Sequence, residues 1–218
     1  TLDTAFDVMG DIILSTAAQQ YGGFTVPEVD KILAPYAKKS YDKYISEFLK
    51  YSDESWSGRE ERAIEYALDK VRRDYDQGWQ GIEYKLNTVG SSRGDYPFVT
   101  VTLGLGTEQF EKMCTVSLLE VHQGGQGKAG HKKPVLFPKI VFLYDKEIHG
   151  PGKCCEDIFE AGVECSSKTM YPDWLSMPGA GYISSMYKKY KKVISPMGCR
   201  AFLSPWYERG GMEPADEN

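Results

Sequence analysis

The sequence has 218 residues, of which 41% are hydrophobic and 13% aromatic, so it can supply a sizeable core for one or two domains. Its formal net charge of −5 argues against a general nucleic-acid binder, which is usually basic. The sequence shows neither an apolar run long enough to span a membrane nor a signal-peptide pattern. Five unevenly spaced cysteines without such a signal indicate a reducing cytoplasm rather than a disulfide framework.

Helical spacing of apolar residues dominates the first ninety residues. It predicts helices over 4–21 and 37–50, with a shorter helix between them that opens at the capping-box spacing of 25–28. A second capping-box spacing at Ser57 opens a long helix that we expect to break or bend at Gly78. This part of the chain is therefore predicted to be a helical layer with solvated charges on its outer faces.

The pattern changes after Pro97, where residues 98–103 read as a strand that leads through a glycine-rich turn into a helix. Such a turn can offer backbone N–H groups to a phosphate, so Gly104, Gly106 and Thr107 are candidate phosphate-binding residues. The alternative is an ordinary strand-to-helix turn capped by Thr107, because no full phosphate-loop pattern is present.

A second glycine-rich segment, 125–130, spells G-x-G-x-x-G but does not predict a dinucleotide site. That motif must follow a strand and open a helix, whereas this one follows a predicted helix and precedes the apolar strand 139–144. We interpret it as a mobile surface loop. The strand is continuously apolar after Lys139, as expected for a strand covered on both faces.

The remaining pattern before the last turn is less regular. It predicts a helix over 154–163, a short strand over 165–168 and a loop over 171–181. The basic and aromatic run 187–192 is interpreted as a solvated face. The alternation of strands and helices after Pro97 is typical of parallel α/β architecture.

One cysteine, Cys199, lies on a tight turn flanked by apolar residues. Pro196 fixes its own φ and Gly198 permits backbone angles that other residues avoid. The turn is therefore expected to enter the interior, with the thiol at its tip. From the residues alone, Cys199 is either a buried structural cysteine or a functional thiol.

The other cysteines and the histidines do not predict a metal site. Cys114 falls on the apolar face of its predicted helix and is assigned to the core. Three further cysteines lack paired C-x-x-C spacing and have no histidine between them; these are Cys154, Cys155 and Cys165. The histidines occupy predicted loops or helix ends, away from any nucleophile motif; these are His122, His131 and His149.

Six blocks run through nearly the whole chain: Gln19–Gly23, Gly81–Thr88, Gly104–Thr107, Pro134–Lys139, Lys168–Asp173 and Pro196–Leu203. In this order they resemble blocks of the class III (anaerobic, glycyl-radical) ribonucleotide reductases. The last block resembles the finger-loop motif of that family. The resemblance is specific because the order and the residues match together.

The resemblance implies an α/β fold in which a helical N-terminal layer precedes part of a ten-stranded barrel of the glycyl-radical enzyme type, with a finger loop that carries Cys199. On this interpretation residues 1–218 form a single partial domain. Residues 1–90 are mainly helical layer, and 97–218 supply strands of the first half-barrel and the finger loop. Family members are much longer, so we expect an internal fragment or one piece of a split protein.

The same resemblance implies conversion of ribonucleoside triphosphates to 2′-deoxyribonucleoside triphosphates, with Cys199 as the thiyl radical residue. Met197 matches a methionine of family members that take electrons from formate; simple packing is its alternative role. Gln20 is the candidate residue for binding dNTP or ATP effectors, and the early helices are the expected homodimer surface.

No cofactor is expected within this chain. For the parent enzyme the resemblance implies a glycyl radical and a structural zinc outside this fragment, formate as reductant, and an iron–sulfur, S-adenosylmethionine-dependent activase as partner. The isolated chain is therefore expected to be inactive. No membrane or nucleic-acid partner is expected.

Two other functions remain open on the sequence. One is a non-catalytic nucleotide-binding or dimerisation module derived from the reductase. The other is an unrelated thiol hydrolase, which would need a reactive Cys199 beside a histidine. A reading frame that supplies the glycyl-radical loop would favour the reductase over the module.

Overall fold

The computed structural model describes residues 1–19, 23–90, 94–190 and 192–198. Within these ranges the chain forms helices on both sides of four short strands. The helices are α1 (Leu2–Gln19), α2 (Val29–Tyr51), α3 (Arg59–Thr88), α4 (Gln109–Gly124), α5 (Lys146–His149), α6 (Glu156–Thr169) and α7 (Tyr182–Tyr190). The strands are β1 (Phe24–Val26), β2 (Val99–Leu103), β3 (Lys139–Tyr144) and β4 (Asp173–Ser176).

The four strands form one parallel sheet in the order β1-β2-β3-β4. Each strand is followed by one or more helices before its neighbour, which is the connection that parallel pairing requires. The predicted parallel α/β class is thus confirmed. The described residues form a sheet of four strands.

The main core lies between one face of the sheet and helices α1 to α4 and α6. Alternate residues of β2 and β3 point into it, including Val101, Leu103 and Phe142, and all three are almost fully buried. The opposite face carries a smaller apolar cluster around Val141 and Leu143, to which α7 contributes Ile183. The sheet is therefore covered on both faces, as the apolar run of β3 predicts.

The aromatic centre of the helical layer explains why Gly78 does not end α3. The ring of Phe6 on α1 packs edge-on against Trp79, with 5.1 Å between ring centroids. A Cβ atom at Gly78 would lie 2.2 Å from that ring, so only glycine allows this approach of α1 to α3. Of the expected break or bend at Gly78, the break is wrong, because α3 is continuous over 30 residues.

Three further expectations in the N-terminal part are corrected. The segment 25–28, which is expected to open a helix, overlaps β1, and α2 starts only at Val29 after Glu28 in a left-handed conformation. The short helix predicted from this segment and the helix predicted over 37–50 are one helix of 23 residues that contains Pro35. At α3 the N-cap is Gly58, with no side-chain cap, in place of the expected capping box.

Three corrections concern the later part of the chain. Residues 165–168 belong to α6, where Cys165 is fully buried, and the strand β4 lies instead within the expected loop 171–181. Helix α4 is capped by the reciprocal Glu108–Glu111 pair and not by Thr107. In the loop after α4, Gln126 and Lys133 exchange two backbone hydrogen bonds, and the mobility of the loop stays a prediction.

Candidate functional site

The candidate site is the segment Ser195–Gly198, which crosses β1 and β2 on the face opposite the main helical layer. Three threonine hydroxyls of these strands hold it. Thr25 donates to the carbonyl oxygen of Pro196 (2.7 Å), and Thr100 accepts from the backbone N–H of Gly198 (2.7 Å). The hydroxyl oxygens of Thr102 and Ser195 lie 3.0 Å apart.

Strand periodicity places these hydroxyls on one face. In β2, alternate residues point to opposite faces, so Val99, Val101 and Leu103 enter the main core while Thr100 and Thr102 face the segment. Both threonines are 0% exposed, and a buried hydroxyl is costly without a partner. The hydroxyl of Thr102 also accepts from the Glu28 N–H (2.9 Å), so its hydrogen is free to be donated to Ser195.

The segment ends in a turn at Gly198, which has φ +67°. Glycine adopts this left-handed conformation without steric cost. A Cβ atom here would approach the ring of Phe98 to 3.3 Å, which is tighter than ordinary van der Waals contact. Phe98 in turn packs edge-on against Phe137, with centroids 5.5 Å apart.

The sequence-predicted site residues fall into two groups. Cys199 and Gln20 lie outside the residues that the structure describes. Met197 is described: it is half-buried and sits between the two residues whose backbones Thr25 and Thr100 hold. Its neighbours are therefore fixed to the sheet, while the assignment of its role remains a prediction.

The phosphate candidates at the end of β2 bind an internal anion. The carboxylate of Asp30, on the first turn of α2, accepts hydrogen bonds from the N–H groups of Gly104 (2.9 Å) and Gly106 (3.1 Å). Asp30 is fully buried, and burial raises its pKa, although these two N–H groups and that of Lys31 oppose the shift. The side chain of Asp30 thus occupies the position that the sequence analysis gave to a phosphate, and Thr107 is exposed.

The same loop is held from its other side by His149. Its Nε2 lies 2.8 Å from the carbonyl oxygen of Gly104, and its Nδ1 lies 2.9 Å from the Asp145 backbone nitrogen and 3.0 Å from the Asp145 carbonyl oxygen. The contact with Gly104 requires a hydrogen on Nε2, because a carbonyl oxygen only accepts. Burial lowers the pKa of His149, which favours the neutral ring.

The other two histidines differ from each other. His122 is buried, and its Nδ1 lies 2.8 Å from Oε1 of the fully buried Glu83. The second oxygen of Glu83 accepts from the amide of Gln126 in the loop after α4 (3.1 Å). His131 is exposed in that loop. His122 and Glu83 thus form a buried hydrogen-bonded pair, and Glu83 also fastens the loop to α3 through Gln126.

The four described cysteines do not form a single cluster. Cys114 is fully buried, as predicted, and burial raises its pKa well above the ordinary value. Cys154 and Cys155 lie together, whereas Cys165 contacts Thr169 at the end of its own helix (3.6 Å). Within the described ranges, no three His, Cys, Asp or Glu side chains are grouped so that they could hold a metal ion.

Two of the six sequence blocks meet at one side chain. The amide of Asn87, near the end of α3, donates to the carbonyl oxygens of Glu83 and Phe137, both at 2.7 Å. Its oxygen accepts from the N–H groups of Leu136 and Phe137 (3.0 and 3.2 Å). Asn87 therefore fixes the segment that leads into β3, which sets the position of the sheet against the helical layer.

The sequence analysis missed the residues that hold the candidate site. The three threonines carried a usable signal, because hydroxyls alternate with apolar residues in β2 and a face of buried hydroxyls needs partners. Asp30 carried none: an acidic residue in the first turn of a helix is ordinary on a protein surface. Its burial depends on the approach of the loop after β2.

Comparisons with known proteins match nearly the whole chain to proteins that share one description. Residues 1–216 match a family model described as anaerobic ribonucleoside-triphosphate reductase. The protein of that name from Enterobacteria phage T4 is 36% identical over 220 residues, covering 99% of this chain and 34% of the relative. Those of Haemophilus influenzae and Escherichia coli are 35% and 33% identical, covering 96% and 99% of this chain and 28% of each relative. The chain thus spans about a third or less of the curated relatives it matches.

Proposed function

This chain belongs to the anaerobic ribonucleoside-triphosphate reductase family, and we propose from that premise that it is the part of such an enzyme that carries the radical cysteine. The complete protein converts ribonucleoside triphosphates to 2′-deoxyribonucleoside triphosphates. Cys199 is the thiyl residue, and the sheet is part of a ten-stranded barrel whose finger loop begins at Ser195. The observation that supports this most is the fastening of Ser195–Gly198 to the threonine face of β1 and β2.

The chemistry explains why the approach to the cysteine is rigid. A hydroxyl is a poor leaving group until the neighbouring carbon is activated. The sulfur radical of Cys199 takes the hydrogen from C3′ of the ribose, so an S–H bond forms as a C–H bond breaks. The 2′-hydroxyl then leaves as water with the proton that the 3′-hydroxyl releases, which leaves a carbonyl at C3′ and the radical at C2′. The sulfur must be held close to C3′ throughout, and a backbone anchored one residue before it limits its displacement.

The surroundings of the segment suit a reaction that must exclude water. The hydroxyls of Thr25, Thr100 and Thr102 all have protein partners, and the two on β2 are fully buried. Beside them, Val141 and Leu143 make the same sheet face apolar. A reactive sulfur on this face would meet few competing hydrogen donors from solvent.

Other parts of the proposal come from the rest of the family pattern. A glycyl radical elsewhere in the complete protein, generated by an iron–sulfur, S-adenosylmethionine-dependent activase, supplies the unpaired electron; formate is the reductant and Met197 lies on its path. Gln20 contacts a dNTP or ATP effector. The complete protein is a homodimer that pairs through α1 and α2, whose facing sides leave an apolar groove of about 250 Å³.

The decisive experiment uses the complete protein with its activase, formate, effector and a ribonucleoside triphosphate under anaerobic conditions. We expect Cys199→Ser to abolish deoxynucleotide formation while the glycyl radical signal persists in electron paramagnetic resonance. Cys154→Ser, at an exposed cysteine, should retain wild-type turnover. Turnover by Cys199→Ser would refute the role of this residue.

The same assay separates the reductase from its main alternative. A non-catalytic module would bind nucleotide but form no product even when the wild-type complete protein is used. The isolated 218 residues should be silent in this assay, because they span about a third or less of the relatives that they match. Any deoxynucleotide formed by the isolated chain would contradict the proposal that it is only a part of the enzyme.

A further inference from the structure

Two adjacent cysteines lie with their sulfur atoms in contact, in the turn between α5 and α6. The Sγ atoms of Cys154 and Cys155 are 3.7 Å apart. The other two described cysteines, Cys114 and Cys165, are buried elsewhere in the main core. The pair plays no part in the proposed reaction.

The two thiols differ in access. Cys154 is exposed, whereas Cys155 is 0% exposed and is the N-cap residue of α6. Lys112 of α4 fastens this turn: its Nζ donates to the carbonyl oxygen of Cys154 (2.7 Å) and pairs with Asp157 (2.8 Å). The exposed sulfur of Cys154 is therefore the one that a partner in solution can reach.

The buried thiol resists ionisation until its neighbour has reacted. Burial, followed by the hydrogen bond and the charge of Cys154, raises the pKa of Cys155 to about 12. Once Cys154 carries no charge, two of these three causes are removed. The order of reaction is therefore set by the structure: the exposed sulfur attacks first and the buried sulfur second.

We propose that Cys154 and Cys155 form a redox-active vicinal dithiol that is closed to a disulfide by exchange with a low-molecular-weight disulfide such as glutathione disulfide. The thiolate of Cys154 attacks one sulfur of glutathione disulfide, forming a mixed disulfide and releasing one glutathione thiolate. Cys155 then loses its proton and attacks the sulfur of Cys154, releasing the second glutathione. In sum, two protein thiols are oxidised and one glutathione disulfide is reduced to two glutathiones.

A disulfide between Cys154 and Cys155 should be easily reduced. Adjacent Cα atoms are about 3.8 Å apart across a trans peptide, below the usual disulfide range of about 4.4–6.8 Å, so a disulfide here is strained and readily reduced. Its formation also removes a contact, because the S–H of Cys155 points to the carbonyl oxygen of Gly106 (3.7 Å). That loop follows β2, the strand that holds the candidate site.

The test incubates the complete protein in glutathione buffers of increasing disulfide content, blocks remaining thiols by alkylation, and maps cysteines by mass spectrometry. Wild type should lose two hydrogens within the peptide that spans Cys154 and Cys155 and keep no glutathione. Because a tryptic peptide after Lys153 also contains Cys165, the experiment is repeated in Cys165→Ser, where the same loss is expected.

Two matched variants separate the two sulfurs. Cys155→Ser should accumulate one glutathione on Cys154, because the second step is missing, and Cys154→Ser should take up none, because Cys155 is buried. Reduction with excess glutathione should restore both thiols in wild type. The proposal is overturned if wild type retains two alkylatable thiols at 154 and 155, if it keeps a stable glutathione adduct, or if Cys154→Ser is modified as readily as wild type.

Discussion

The buried carboxylate of Asp30 joins α2 to the loop after β2, and its removal should be costly. Asp30→Ala leaves the N–H groups of Gly104 and Gly106 buried without their acceptor. At about 1–3 kcal/mol for each unsatisfied group, offset by the relief of a buried charge, we expect a loss of about 3 kcal/mol in the free energy of unfolding. Urea denaturation of the protein measures it.

Asp42 supplies the control on the same helix. It is exposed, and among the described residues its carboxylate forms an ion pair only with Lys38, so Asp42→Ala should cost less than about 1 kcal/mol. Asp30→Asn should lie between the two, because the amide oxygen can still accept from both glycines. Equal losses for Asp30→Ala and Asp42→Ala would show that Asp30 does not fasten the loop.

A pH dependence should arise from His149. Burial lowers its pKa in the folded protein, whereas the unfolded chain titrates near 6.5. Above that pH both states are neutral and nothing changes. As the pH falls below 6.5, the unfolded state binds a proton that the folded state resists, so the free energy of unfolding decreases. The stability contributed by neutral His149 is thus present at pH 7.5 and reduced at pH 5.5.

The free energy of unfolding should decrease by about 1 kcal/mol between pH 7.5 and pH 5.5 because of His149. Subtracting the change measured for His149→Gln isolates it from the carboxylates, which titrate in both proteins. His131→Gln, in an exposed loop, should keep the wild-type dependence. A wild-type curve that coincides with that of His149→Gln would mean that His149 is not held neutral.

Among the elements, β2 has the most direct influence on the candidate site, and Thr100 is its test. Thr100→Val preserves shape but removes the acceptor of the Gly198 N–H. We expect a loss of about 1–2 kcal/mol in the free energy of unfolding, since a buried donor is left unpaired. Hydrogen exchange at Gly198 should accelerate, and turnover of the complete protein should fall.

Thr115 on α4 provides the matched substitution. It is also 0% exposed, but its hydroxyl has no hydrogen-bond partner among the described residues. Thr115→Val should therefore be neutral or slightly stabilising, by up to about 1 kcal/mol. If both valine variants behave alike, the hydroxyl of Thr100 does not anchor the segment.

At the scale of elements, the sequence predicts the helices and strands that are long enough to show a hydrophobic period. The long apolar stripe of α3, the alternation in β2 and the apolar run of β3 all have enough residues to show their period. Strands β1 and β4 have three and four residues, and both lie beside proline. Such short strands exist because a neighbour supplies backbone partners, so local sequence cannot reveal them.

The candidate site shows the same limit. The turn at Gly198 was recognisable from its own residues, because proline and glycine shape a chain locally. The face to which its approach is fastened was not, because Thr25 and Thr100 are 75 positions apart in sequence and become neighbours only through the β1–β2 pairing. Contacts made by the sheet must be read from the fold.

At the scale of the whole molecule, the described residues bury two apolar clusters and leave an apolar groove exposed between two helices. It lies between α1 and α2, where Val8, Ile12, Ile32 and Tyr36 are each more than 40% exposed. No helix of the described residues has the length and apolarity to cross a membrane. A contiguous apolar groove of this kind is typical of a protein–protein contact.

The proposed homodimer can be tested by placing one charged side chain in the groove. Ile32→Asp places a carboxylate in the centre of an interface that must lose its water, and we expect the dissociation constant of the dimer to rise at least about tenfold, which corresponds to about 1.4 kcal/mol. Ile64→Asp is the control, because Ile64 on α3 is 45% exposed, against 44% for Ile32, and does not line the groove. Sedimentation velocity over a range of concentrations measures both. Dimerisation that is weakened by Ile64→Asp and unaffected by Ile32→Asp would move the interface away from α1 and α2.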